Sequence, residues 1–152
     1  MFAGTTGDLP VWNPVLSRTS DAPGKGPYQG DAHSETSLPK NDGLDSHHLP
    51  AKSVSGIDDP VNRGPAIQMD PLDHRATKSN WGTTGSAFYR TDIGQKIEDG
   101  DMRGAMAAEI REVRRAAQEV SGDQSKYNIA LGEALDYAKR DGIVPPKPGR
   151  PR

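Results

Sequence analysis

An apolar stripe in the second half of the chain is the feature that most constrains its fold. From residue 102 onward, apolar side chains recur at steps of three and four residues, at Met102, Met106, Ile110, Val113 and Ala117. This is the spacing of one face of an α-helix. It predicts a helix from Met102 to about Glu119 with Asp101 as its N-cap, so the second half of the chain is expected to be helical.

Two further helices are predicted around this one. Residues 88–98 form a helix that ends at Asp99-Gly100, and Ser125 caps another that ends just before Gly142. In the first half, residues 44–52 and 64–68 are predicted to be extended. A short helix then starts at Asp70-Pro71. The predicted order is two extended segments, a short helix and about three longer helices, which is an α+β fold.

Composition limits how much of the chain can form a core. Of the 152 residues only 32% are hydrophobic, while 17 are glycine and 13 are proline. A core extending along the whole length is therefore excluded. We expect a flexible linker over residues 1–44, a folded domain over 45–142 and a disordered proline-rich tail over 143–152. No apolar run approaches the roughly 18 residues of a membrane span, so no span is expected.

Histidines supply the main chemical signal. Of the four in the chain, His47 and His48 are adjacent, His74 follows Asp73 in the short predicted helix, and His33 falls in the predicted linker. The chain has no cysteine, so histidines and carboxylates must hold any metal. A neutral imidazole, with its ordinary pKa of about 6.5, is a suitable base for activating water. The pattern indicates a one-metal phosphodiesterase, provided that a strand end lets both adjacent rings reach one site.

A family resemblance extends this interpretation. In order, the chain has Ser46-His47-His48-Leu49-Pro50, Gly64-Pro65-Ala66-Ile67-Gln68-Met69-Asp70, Asp73-His74-Arg75-Ala76-Thr77 and then Ser79. These segments resemble the SHH-signature toxin domains of the HNH/endonuclease VII nuclease superfamily. Lys126-Tyr127, Ala130 and Leu135-Asp136-Tyr137 are similar to the helical tail of that family. The likeness covers roughly residues 45–140.

The resemblance implies a small ββα-metal (His-Me finger) nuclease core followed by helices. It implies a metal-dependent, nonspecific DNA endonuclease that serves as the C-terminal toxic module of a bacterial polymorphic toxin. Such an effector is secreted or injected and acts in the cytoplasm of the target cell. Its expected partners are the DNA substrate, a cognate immunity protein and a delivery apparatus encoded upstream of this chain.

The resemblance also assigns roles to residues in the motifs just quoted. His48 is the expected general base, and His47 and His74 are the expected metal ligands, with Asp73 as a candidate third ligand. Relatives with two helical histidines carry the second one turn further on, where this chain has Lys78. That difference favours Mg²⁺ or Mn²⁺ over a tight Zn²⁺ site.

Basic residues near the motifs are candidates for binding the phosphate, namely Arg75, Lys78 and Arg90. The net charge of −2 gives no global attraction to nucleic acid, so phosphate contacts must be local. A second basic cluster, Arg111, Arg114 and Arg115, either contacts DNA or forms a solvated face interleaved with glutamates.

Two alternatives stay open at this point. The first is an RNase toxin of the same fold, because a metal-activated water attacks either backbone. The second is a non-enzymatic binding module in which the histidines hold a structural metal. The absence of cysteine weighs against the second, since closed structural zinc sites usually have cysteine-rich ligand sets.

Overall fold

The computed structural model describes residues 27–80 and 85–146, which form an α+β fold. Its strands are β1 (Gly30–Ala32), β2 (Asp45–His48) and β3 (Pro65–Met69). Its helices are α1 (His33–Thr36), α2 (Pro60–Arg63), α3 (Pro71–Ala76), α4 (Ser86–Glu98), α5 (Met102–Ser121) and α6 (Asn128–Arg140). The two predicted extended segments, the short helix and the three longer helices are present in the predicted order, while β1, α1 and α2 were not predicted.

The three strands form one antiparallel sheet in the order β1-β3-β2. The central strand β3 is buried along its whole length. Its pairing with β2 sets His47 opposite Ile67 and His48 opposite Ala66. Only Asp70 separates β3 from α3, while α2 lies between β2 and β3; β2, β3 and α3 thus occur in the chain order of a ββα unit.

The core lies between the sheet and the long helices. Helix α6 packs on β1 and β3, and α5 packs on α3 and α4. Met106, Val113 and Ala117 of the predicted stripe are buried in the core, and Met102 and Ile110 pack against its edge. None of the helices in the described ranges has the length and apolar character needed to cross a membrane.

Capping explains where two helices begin. The carboxylate of Asp101 accepts the Gly104 N–H at 2.8 Å, so the predicted N-cap of α5 is confirmed. Ser125 does not cap α6, which begins three residues later at Asn128. The Ser125 hydroxyl instead donates to the Asp123 carboxylate at 2.6 Å. That bond closes a separate turn ahead of the helix.

The folded unit begins earlier than the predicted boundary at residue 45. Tyr28 is buried, and β1 pairs with β3 through Gly30 to Ala32. A Cβ at Gly30 would overlap the backbone of α6 at Ala130, so the strand can dock there only with glycine. Three residues without an alternating pattern carry no strand signal, which is why the sequence predicts a linker here. Residues 1–26 of that predicted linker lie outside the described residues.

The C-terminal boundary is also later than predicted. Val144 is buried in the core, and its N–H donates to the Ala138 carbonyl at 3.1 Å. The ordered unit therefore continues past residue 142. The last part of the predicted tail, residues 147–152, lies outside the described residues.

Candidate functional site

His47 and His74 meet where β2 faces α3. Their ring centroids are 5.0 Å apart, with the ring planes at 66°. His47 is buried in the sheet, and His74 is partly exposed on the helix. Because β3 leads directly into α3, the helix lies close enough to β2 to bring the two rings together. The structure therefore places the two predicted metal ligands side by side.

All three predicted site histidines line one cavity of about 190 Å³, which we call the histidine cavity. Its lining consists of Ser46, His47, His48, Ala51, Lys52, Ser53, His74, Ser79, Asn80 and Arg90. Two of these side chains are cationic and none is a carboxylate. Such a lining favours an anionic ligand.

A carboxylate orients His74 from outside the cavity lining. The Asp45 Oδ2 lies 2.7 Å from His74 Nδ1, which fixes the ring and leaves Nε2 as the nitrogen for a metal. Carboxylate partners of this kind orient metal-binding histidines and raise their basicity. Sequence reasoning missed Asp45. The signal was its position two residues before His47, since alternate strand residues share one face.

Burial keeps His47 in the form that can bind a metal. It lowers the pKa of the imidazole well below its usual range, and the neighbouring His74 and His48 lower it further. The neutral ring has a free electron pair at neutral pH, as metal ligation requires. The Ser79 hydroxyl lies 3.5 Å from His47 Nε2.

His48 has the geometry of a base. Its Nε2 lies 3.1 Å from the Pro60 carbonyl, which only accepts hydrogen bonds, so Nε2 carries the proton. The electron pair is then on Nδ1, to which no side chain or backbone group of the described residues hydrogen-bonds. Burial lowers the pKa of His48 to about 4, with a further contribution from His33. The ring is therefore neutral at neutral pH.

Gly64 makes room for the His48 ring. A Cβ at this position would lie 2.9 Å from His48 Cδ2 and 2.6 Å from the Pro60 carbonyl oxygen. Both distances are shorter than a carbon atom tolerates. Any side chain at Gly64 would therefore shift the ring or its hydrogen-bond partner.

His33 stacks on the other side of His48, although the sequence analysis placed it in the linker. The ring centroids are 4.1 Å apart and the ring planes are 20° apart. His33 Nδ1 lies 2.8 Å from the Ser46 hydroxyl, which is 2.6 Å from the Thr36 hydroxyl. These bonds hold His33 against His48. No local sequence pattern predicts this contact, because only the tertiary packing of the chain brings α1 next to β2.

Asp73 lies on the other side of α3, which corrects the expectation that it ligates a metal. Its carboxylate accepts from Tyr127 Oη at 2.5 Å, Lys126 Nζ at 2.8 Å and Ser121 Oγ at 2.8 Å. Successive helical residues point about 100° apart, so a helix that presents His74 to the cavity turns Asp73 away from it. We call Asp73 and its three donors the carboxylate cluster.

Of the three predicted phosphate-binding residues, the structure brings only Arg90 to the histidine cavity. Arg90 donates to the Ser53 hydroxyl at 2.6 Å and to the Ser79 carbonyl, so it joins two segments of the cavity wall. Arg75 and Lys78 are absent from the lining. The Lys78 backbone N–H donates to Glu112 at 2.7 Å, which holds this residue against α5.

A buried carboxyl supports the wall from behind. Glu109 of α5 is fully buried; it accepts the Ala51 N–H at 3.2 Å and lies 2.6 Å from Tyr89 Oη. Burial raises the pKa of Glu109 to about 7. The Glu109 side chain thus links α5 to Ala51, which lines the cavity, and to Tyr89, which precedes Arg90. Sequence reasoning missed it because it lies within the predicted helix among other charged residues.

Within the described ranges, no group of three histidine, cysteine or acidic side chains is arranged to hold a metal. His47 and His74 are the two neighbouring imidazoles that could hold a divalent ion. The other ligands of such an ion would be water or substrate, as is usual for Mg²⁺, which keeps several of its waters.

Comparison of the chain with models of protein families, with curated proteins and with solved structures finds no match. The function of the chain is therefore inferred from the geometry of the histidine cavity and from the motifs in the sequence.

Proposed function

We propose that the protein is a metal-dependent endonuclease that cuts phosphodiester bonds by water attack. The main support is the arrangement of the three histidines. The His47 and His74 rings lie 5.0 Å apart, and His48 lines the same cavity. This reaction requires side chains that hold the metal and a base that accepts a proton from water. Two of the rings are placed for the first role and one for the second.

His47 and His74 would hold the metal, with Asp45 orienting His74. A bound divalent ion would offset the charge on the phosphate and make its water more acidic. His48 Nδ1 would accept the proton of the attacking water. The low pKa of His48 keeps that nitrogen unprotonated at neutral pH, and the negative charge of a bound phosphate would favour the protonated ring once the proton is transferred.

Cationic side chains in the cavity fit the substrate. Arg90 and Lys52 both line it and would contact phosphate oxygens. Mg²⁺ or Mn²⁺ is the proposed metal. Zn²⁺ and Ni²⁺ should also be tested, because imidazoles bind these ions well and the Asp73 carboxylate does not belong to the donor set.

The order β2, β3, α3 agrees with the ββα-metal core that the sequence motifs imply. On the strength of those motifs, we propose DNA as the substrate and antibacterial intoxication as the role. The protein would be delivered by an upstream apparatus, act in the cytoplasm of the target cell and be neutralised at home by a cognate immunity protein.

The test is cleavage of supercoiled plasmid by the purified chain with each of the four metals, compared with tRNA and rRNA. The His48→Ala variant should lose at least about 100-fold in rate, as expected for loss of a general base. Lys139→Ala, on the exposed end of α6, serves as the control. Undiminished cleavage by folded His48→Ala would contradict the proposal.

Other outcomes identify the alternatives. Cleavage of RNA alone would indicate the RNase. A large metal-dependent rise in melting temperature, with all nucleic acids intact, would indicate a structural metal in a binding module.

A further inference from the structure

A second, larger groove runs along the exposed side of α5, outside the histidine cavity. Its volume is about 570 Å³. Its lining contains three guanidinium groups, two amides and one carboxylate: Arg111, Arg114, Arg115, Gln118, Glu119 and Gln124. We call it the arginine groove. It is built almost entirely from hydrogen-bond donors and positive charge.

The glutamates of α5 neutralise only one arginine of this groove. Arg115 pairs with Glu112 at 2.6 Å and with Glu119 at 3.2 Å. Glu109 is fully buried. Arg111 and Arg114 are exposed, and no carboxylate of the described residues forms an ion pair with either. This distinguishes the groove from a solvated face of alternating charges, and it leaves two guanidinium groups for an external anion.

The spacing of the donors favours an extended polyanion. Arg111, Arg114 and Gln118 follow at three- and four-residue steps, so they lie along one side of the helix. The rise of an α-helix separates the first from the last by about 10 Å. A single small anion cannot contact donors spread over this length, whereas successive phosphates of one strand can.

Two sets of hydrogen bonds connect α5, which carries the arginine groove, to the segments that line the histidine cavity. On one side, Arg115 donates to the Ala76 carbonyl at 2.8 Å, and Glu112 accepts the Lys78 N–H at 2.7 Å. The next residues along that segment, Ser79 and Asn80, line the cavity.

On the other side, the Tyr89 phenol donates to Glu109 of α5 at 2.6 Å, two residues before Arg111. The residue after Tyr89 is Arg90, which lines the cavity. The helix that carries the arginine groove therefore also supports the wall of the histidine cavity.

We propose that the arginine groove binds the sugar-phosphate backbone of the nucleic acid beyond the bond that is cut. The identity of the ligand rests on the proposed function. The contacts would be to phosphates and hence independent of base sequence. They would supply the local positive charge that a chain of net charge −2 lacks overall.

The first test measures binding without cleavage. The whole 152-residue chain with His48→Ala is titrated, in the absence of metal, into a fluorescent 20-base-pair duplex at several salt concentrations. Adding Arg111→Glu and Arg114→Glu should raise Kd at least about 10-fold and reduce the slope of log K against log salt by about 2. The control, Lys139→Glu with Arg140→Glu, makes the same charge change on exposed positions of α6 and should have a much smaller effect.

The second test separates the groove from the chemistry. On an otherwise wild-type chain with metal, the two arginine substitutions should raise KM for long DNA. They should leave hydrolysis of bis(4-nitrophenyl) phosphate unchanged, because this small diester fills only the histidine cavity. Equal loss on both substrates would mean that the substitutions damage the cavity, and it would overturn the inference.

The outcomes also distinguish the two proposals. If the arginine and control variants bind the duplex equally, the groove does not contact the backbone, whether or not the chain cleaves DNA. An acidic surface of a protein partner would then be the ligand left to test for the arginine groove. If binding depends on the arginines but no phosphodiester is ever cut, the inference stands and the proposed function fails.

Discussion

Two polar clusters lie on opposite sides of α3, and adjacent residues of that helix belong to each. Asp73 belongs to the carboxylate cluster, where three side chains donate to its two oxygens. His74 belongs to the histidine cavity, where its Nε2 and the Nδ1 of His48 are left for a ligand. The same helical turn thus serves a closed network and an open one.

Burial alone does not separate these clusters. Asp73 is 1% exposed and His47 is 3% exposed; His47 lines the histidine cavity, whereas Asp73 lies at a separate pocket together with its donors Ser121 and Lys126. The difference lies in how much hydrogen-bonding capacity remains unused. A saturated network contributes to stability, while a network with open electron pairs can do chemistry. The following predictions test that contrast, from the largest expected effect to the smallest.

His74→Ala should abolish most of the activity and leave stability almost unchanged. Loss of a metal-binding ring should slow plasmid nicking on the order of 100- to 1,000-fold. The ring is 24% exposed and its Asp45 partner 39% exposed, so the ion pair contributes little to the free energy of unfolding. Nicking rates and urea denaturation check both parts. Nicking at the wild-type rate would remove His74 from the site.

Asp73→Ala should show the reverse. It would leave Tyr127 Oη without its buried acceptor and the Lys126 ammonium with only the Asp70 carboxylate, at 2.8 Å, and should lower the free energy of unfolding by about 3 kcal/mol. Urea denaturation measures this loss, and Asp73→Asn, which keeps one acceptor oxygen, should lose less. The nicking rate per folded molecule should stay within severalfold of wild type. A rate that collapses while stability holds would return Asp73 to the list of ligands.

Glu109 tests a buried carboxyl that lacks the lysine found beside Asp73. Its pKa is raised from 4.5 to about 7, so between these values the unfolded chain has released a proton that the folded chain still holds. The free energy of unfolding should therefore fall as pH rises through this window and level off above it. Between pH 5 and pH 7, wild type should lose about 2 kcal/mol more than Glu109→Gln. Parallel slopes in urea denaturation would contradict the assignment.

Asp45→Asn should have the smallest of these effects. The amide keeps a contact to His74 but lacks the negative charge that orients the ring, which should weaken metal binding about 10-fold. The Mn²⁺ concentration that gives half the maximal nicking rate measures this change. The rate at saturating Mn²⁺ should change little. An unchanged Mn²⁺ requirement would show that Asp45 only stabilises the fold.

The elements that the sequence predicted well are those with a local signal. The period of Met102 to Ala117 marks α5, and Asp70-Pro71 marks the start of α3. Strand β1 has no such signal, because Gly30, Asp31 and Ala32 become a strand only by pairing with β3 and by docking under α6. Stabilisation from distant parts of the chain is invisible in a local pattern.

The site residues also divide into those with a local sequence signal and those without one. The three cavity histidines could be identified from their motifs, and the structure brings them together. The sequence could not show whether Asp73 or His74 faces the cavity. The positions of two neighbouring residues on a helix fix the angle between their side chains but not which of them points to the site. His33 could not be found, since its contact with His48 depends on where α1 docks.

The close packing of Gly64 on the His48 ring has a consequence for how this protein can diverge. Its backbone conformation suits any residue, so only the space taken by the ring and the Pro60 carbonyl excludes a larger one. The exposed residues just before it, such as Val61 and Asn62, face no such limit. Descendants of this chain that keep the same chemistry should therefore vary freely on that surface turn and retain a glycine at its end.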